Sequence, residues 1–168
     1  MSQTQMNFIK QQGFTDVSSD TCPLRYPPLM FQPRVIGVLV LAGALLRWAP
    51  LFLALTAVLL WSAFVPGLNP FERVYNRFIA PGRRVLPLTP APRPRRFAQF
   101  LAATLTLTSG VSLLKGWTLL AWAAAGLLLL AVAAILMGSF CLGSFVFHLI
   151  TGNAAHARRT MPWARSAQ

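Results

Sequence analysis

The sequence predicts an all-α integral membrane bundle of four transmembrane helices, arranged as two hairpins, with a short interfacial amphipathic helix in the central cytoplasmic loop. Three observations predict it. Of the 168 residues 55% are hydrophobic and only 11% are charged, with a mean hydropathy of +0.57, whereas soluble domains carry about 25% charged residues. Four uncharged runs separate successive cations, at residues 35–46, 48–68, 97–114 and 116–157. The fifteen cations, against three acidic residues, lie between and outside those runs and give a net charge of +12.

A span needs about 20 residues, each rising ~1.5 Å, to cross ~30 Å of hydrocarbon. The second and third runs, of 21 and 18 residues, fit one helix each; the last, of 42, fits a helix and a further segment. The first run has only 12 residues. It reaches the required length by recruiting residues 29–33 while Arg34 snorkels back to the headgroups. The alternative is a shallow hairpin over 35–65 that dips in and returns.

In chain order, residues 1–28 read as a mobile amino-terminal tail with a Cys-Pro segment. Residues 1–20 are rich in Gln, Ser and Thr without apolar periodicity. They contain no apolar h-region, so no cleavable signal peptide is expected and targeting falls to the first helix. Pro23, Pro27 and Pro28 disfavour a helix and place Cys22 in an extended segment before the membrane. The membrane domain covers 29–157, with helices at 29–48, 49–66, 97–114 and 117–137, a segment at 139–150 and a basic loop at 67–96. Residues 158–168 form a basic carboxy-terminal tail. Each short turn, Arg47-Trp48-Ala49-Pro50 and Lys115-Gly116-Trp117, pairs one cation with a Trp suited to the interface.

Three cations precede the first helix, seven lie in the central loop and three follow the last helix, against one in each outer turn. The positive-inside rule then puts both termini and the central loop in the cytoplasm. Cations interleaved with apolar runs point to anionic lipid headgroups rather than to nucleic acid, which is met by a continuous basic face. The headgroup-binding candidates are Arg73, Arg77, Arg83, Arg84, Arg93, Arg95 and Arg96. Within the loop, Asn69-Pro70 with Glu72 is a helix start: Asn caps, Pro takes the first position and Glu reaches back to the cap N–H. Phe71, Val74, Tyr75, Phe78 and Ile79 follow at helical spacing, predicting an apolar face for the interface or for packing on the helix ends. Residues 83–96, with four prolines, predict an extended arm.

The candidate chemistry lies late in the chain. A continuous helix over 117–150 would run about 51 Å, so a break is expected at Gly138-Ser139. Beyond it Cys141, Ser144 and His148 fall at i, i+3 and i+7 on one helical face, on the same side of the membrane as Cys22. Either the two thiols form a reactive pair near arginines, or Cys141 is a small packing residue. Two cysteines are no disulfide framework. No close Cys or His spacing suits a metal, and no cofactor is indicated. No charge lies within the runs, as an ion pathway would require. No Gly-x-Ser-x-Gly elbow or phosphate-cradling loop is present. Thr104, Thr108 and Ser112 form a hydroxyl stripe explained by back-bonding or interhelical bonds, and Ala121, Ala125 and Gly126 form a small-residue face for close packing.

Cys22-Pro23, Asn69-Pro70, Pro94-Arg95-Arg96-Phe97-Ala98-Gln99 and Phe140-Cys141-Leu142-Gly143 together resemble the bacterial membrane proteins grouped as domain of unknown function 4395. The likeness covers about residues 22–150. Such proteins commonly close the last motif with a second Cys, where this chain has Ser144, so that local dithiol is missing. The family label implies no activity. The reading that results is a multi-pass protein of the bacterial inner membrane, a structural or accessory subunit with a membrane-protein partner rather than an enzyme. The alternative is thiol-dependent redox or sulfur transfer by Cys141 with Cys22.

Overall fold

The computed structural model describes residues 3–15, 18, 20–82 and 85–164, and helix is the only regular structure among them. Nine α-helices are described: α1 (Gln3–Gln11), α2 (Cys22–Leu29), α3 (Phe31–Leu45), α4 (Ala49–Phe64), α5 (Pro70–Val74), α6 (Arg93–Leu114), α7 (Thr118–Gly138), α8 (Leu142–Ile150) and α9 (Ala154–Arg159). Three stretches are long and apolar enough to cross a membrane: Cys22–Leu45, Arg93–Leu114 and Thr118–Gly138. Their outward faces are apolar, as at Leu119, Leu130 and Met137, which are 85, 70 and 84% exposed. A bilayer solvates such faces; water would not.

Helix α6 is central and packs on α4, α7 and α8, while α3 packs on α7. Val40, Phe52, Leu59, Ala103, Ala125 and Leu128 fill the core between them. Small residues permit the closest approaches. A Cβ on Gly110 would sit 2.9 Å from Leu53 Cδ2, and one on Gly143 would sit 2.6 Å from Ala98 Cβ and 2.7 Å from Ala98 Cα. The hydroxyls are accommodated locally: Thr104 and Thr108 bond carbonyls four residues back, and Thr56 meets Thr106 across α4 and α6 at 2.9 Å.

Several sequence expectations are corrected. The first helical stretch long and apolar enough to cross a membrane begins not at residue 29 but at Cys22, continuing into α3 through Met30. Pro23 is harmless in the first turn, whose N–H groups lack helical partners anyway. Pro28 frees the carbonyl of Leu24, and the N–H of Leu86 in the central loop takes it at 3.0 Å. Cys22 is therefore helical and buried, not extended. Residues 3–11, expected in a mobile tail, form α1 with Phe8 and Ile9 fully buried. Helix α4 ends at Phe64 rather than 66, because Pro66 opens a short 3₁₀ turn (Pro66–Leu68); its 16 residues reach about 24 Å. Helix α6 begins at Arg93, so the extended arm is shorter than expected. The break expected at Gly138-Ser139 is present: α7 ends at Gly138, and Ser139 takes a left-handed conformation (φ 49°). The Ser139 hydroxyl lies 2.7 Å from that of Tyr26, a bond that helps hold this strained corner.

Candidate functional site

Both chain ends gather at one end of the bundle. The Asn7 side-chain amide donates to the carbonyls of Met161 (3.0 Å) and Ala164 (3.1 Å), and the Thr4 hydroxyl donates to Pro162 O (3.2 Å). The carboxy-terminal segment is thus docked as far as Ala164, not a free tail over its described part. Beside it, Gln11 ties α1 to α8. Its Oε1 accepts from the N–H of Cys141 at 2.9 Å, and its main-chain carbonyl lies 3.0 Å from His148 Nε2. A carbonyl only accepts, so Nε2 is assigned the proton.

Cys141 caps the start of α8, and Ser144 and His148 occupy the buried face that follows. The Ser144 hydroxyl donates to Cys141 Sγ at 3.3 Å. Cys22 and Cys141 are 1% and 4% exposed, carry free thiols and belong to one buried apolar cluster with Phe8, Ile9, Leu29 and Met30. The predicted set is therefore gathered in one region, where the Cys141 N–H and His148 Nε2 join α8 to α1 while His148 Nδ1 is buried without a hydrogen-bond partner. Among the described residues no three of His, Cys, Asp or Glu group to hold a metal ion.

The arginines of the loop divide. Arg73, Arg77 and Arg93 are exposed. Arg83 and Arg84 lie outside the described residues. Arg96 is half-buried, donating from Nε to the carbonyl of Ala63 at 2.6 Å near the end of α4. Arg95 is 5% exposed: the helix starts four residues earlier than expected and turns this side chain inward, away from the bundle surface. Arg95 Nη2 donates to Gln32 Oε1 at 3.0 Å, and Gln99 Nε2 donates to the same oxygen at 3.0 Å.

The helix start at Asn69 is present, with a change. Asn69 Oδ1 accepts from the N–H of Phe71 (3.0 Å), while Glu72 Oε1 accepts from Asn69 Nδ2 (3.1 Å) rather than from the cap N–H. The helix then widens into a π turn (Tyr75–Ile79), which rotates the predicted apolar face: Phe71 and Tyr75 are buried, whereas Val74 and Phe78 are exposed. Burial pushes the Glu72 carboxyl up to about 7, opposed by the Arg95 charge and by the Asn69 bond. A carboxyl raised on folding binds its proton more tightly when folded, so its stabilising contribution is present below its ordinary value near 4.5 and lost as pH rises through about 7. The thermal midpoint in detergent should therefore fall across that window and level off above it. Glu72→Gln should flatten the profile; a profile unchanged by that substitution would assign the effect elsewhere.

Sequence reasoning missed Gln11, Gln32 and Gln99. A signal existed for Gln99. Arg95, Gln99, Ala103, Thr106 and Gly110 follow helical spacing and are all buried on the inward face of α6, a polar and small-residue stripe in an otherwise apolar helix. For Gln11 nothing local signalled a role.

The family model described as a domain of unknown function (DUF4395) matches residues 29–151. Neither a curated protein nor a solved structure matches the chain.

Proposed function

The chain belongs to the DUF4395 family, a domain of unknown function, and from that premise we propose that it is a structural or accessory subunit of a complex in the bacterial inner membrane. It crosses four times, as two hairpins, with both termini and the basic loop in the cytoplasm. The observation that carries this topology is the packing of the two terminal segments against each other through Asn7, Met161 and Ala164. Segments in contact share one side of the membrane, so the number of crossings is even, and α4 joins the three longer helices as a short fourth span that the bilayer meets by local thinning. The charge asymmetry then orients the whole. Exposed Arg73, Arg77 and Arg93 face anionic headgroups. A supporting role fits the two bonds by which Gln11 docks α1 to α8, one from the N–H of Cys141 and one from His148 Nε2. A topology reporter inserted after Gly82 should report a cytoplasmic location; periplasmic reporter activity at that position would overturn the arrangement.

A second reading is favoured by the shared cluster of Cys22 and Cys141: a thiol pair for redox or sulfur transfer. Oxidant treatment of native membranes should bridge the two cysteines if they act as a pair. If no bridge forms, and both resist a polar maleimide, they are packing residues and the accessory role stands.

A further inference from the structure

A cavity of about 310 Å³ lies between α3, α6, α7 and the start of α8, within the range of small-molecule sites, roughly 300–1,000 Å³. One end is polar. Gln32, Arg95 and Gln99 line it there, 3, 5 and 5% exposed, joined through the Gln32 oxygen. That network is incomplete: Arg95 Nη1, Gln32 Nε2 and Gln99 Oε1 are buried without a hydrogen-bond partner. Flipping an amide does not cure this, since Gln32 Oε1 is fixed by the guanidinium and Gln99 Nε2 is fixed by Gln32. A buried guanidinium with an unmet N–H, hydrogen-bonded to neutral Gln32 and acted on by the Glu72 carboxyl only at a distance, is costly, and an anion placed on the free N–H would offset the cost.

The rest of the lining is apolar apart from Gln12, whose Oε1 is also buried without a partner, Thr104 and Cys141. From Arg95 it follows α6 down to Leu105, about 15 Å away along the helix, facing Ile36, Leu128 and Val132. Its margin includes Thr104, Leu127 and Leu142, which are exposed on the outer surface of the bundle. The mouth therefore opens towards acyl chains, not towards water.

We propose that this cavity binds an amphipathic anion drawn from the bilayer, with its carboxylate or phosphate oxygens on Arg95 and the Gln32 amide and its hydrocarbon chain along the apolar wall. A charge-assisted contact to Arg95 supplies the affinity for the head, and Gln99 Oε1 accepts from any hydroxyl beside it. The proposal rests on the membrane-embedded reading of the bundle. The two fail separately, because membrane fractionation and reporter position do not depend on whether the cavity is filled.

The test is native mass spectrometry of the delipidated full-length protein, titrated in mild detergent with oleate, dioleoyl phosphatidylglycerol or dioleoyl phosphatidylcholine. One oleate or one phosphatidylglycerol should be retained at least ~10-fold more tightly than phosphatidylcholine, the ratio worth about 1.4 kcal/mol. The two anionic arms distinguish a free fatty carboxylate from a phospholipid as the ligand. Arg95→Met should abolish the preference. Leu105→Trp, which fills the apolar part without touching the polar end, should reduce retention of the anion at least ~10-fold while the thermal midpoint holds, and it decides the matter if Arg95→Met does not fold. Equal retention of all three lipids, retention of none, or undiminished anion binding in Leu105→Trp would overturn the proposal.

Discussion

Gly143→Val should leave little folded protein in mild detergent, and Gly143→Ala should lower the thermal midpoint by an amount equivalent to at least about 1–3 kcal/mol, the usual cost of overpacking. The reason is where the added carbon would sit. A Cβ at Gly143 would lie 2.7 Å from the Cα of Ala98 as well as 2.6 Å from its Cβ. A side chain can rotate away; a backbone atom moves only if the helix moves. Helix α8 would have to lift off α6, carrying Cys141 from Gln11 and His148 from the α1 carbonyl. A control sits in α7, where a Cβ on Gly126 would meet nothing within 4 Å. Gly126→Ala should raise stability slightly, by up to about 1 kcal/mol, because alanine favours helix. If both substitutions behave alike, the close approach of α8 to α6 is wrong. Ala98→Gly in the Gly143→Ala background should restore part of the loss, since it removes the Cβ clash and leaves the Cα one.

Asn69→Ala carries the second-largest expected loss, about 2–3 kcal/mol from a lost helix cap and the orphaned groups around it. Asn69 is 1% exposed. Besides capping Phe71 and donating to Glu72, its Oδ1 lies 3.1 Å from the Ser62 hydroxyl at the end of α4. One side chain thus joins the second helix, the loop helix and the buried carboxyl. Asn69→Asp separates these roles. It keeps an acceptor for the Phe71 N–H but sets a carboxylate against Glu72 in place of a donor. Its deficit should therefore grow between pH 5 and 8, whereas the deficit of Asn69→Ala should be present throughout. Thermal midpoints across that range, measured for both variants, check the assignment; identical profiles would count against it.

Much of the architecture was legible because the bilayer imposes a length and an apolar composition that a run of residues either meets or does not. The long apolar helix α7, the turn at Lys115-Gly116-Trp117, the cap at Asn69 and the break at Ser139 all follow from local chemistry. What escaped depends on partners distant in sequence. Pro27 and Pro28 argued against a helix at Cys22, yet the carbonyl freed by Pro28 is met by Leu86, 62 residues later. Residues 3–11 looked like a solvated tail because glutamines are polar; buried Gln11 instead serves as acceptor for an N–H in α8. Arg95 was grouped with its charged neighbours because charge alone says nothing of which way a helix faces. The clustering of Cys22, Cys141, Ser144 and His148 was partly visible, since Ser144 and His148 share a face. The polar end of the cavity was not, because its members come from two different helices.

The seal between Asn7 and the carbonyls of Met161 and Ala164 has a consequence for biogenesis. Asn7 is synthesised 154 residues before Met161, so this contact forms only after the segment that follows α9 has been made. Until then the Asn7 amide, 4% exposed in the finished fold, stands open to solvent and to chaperones.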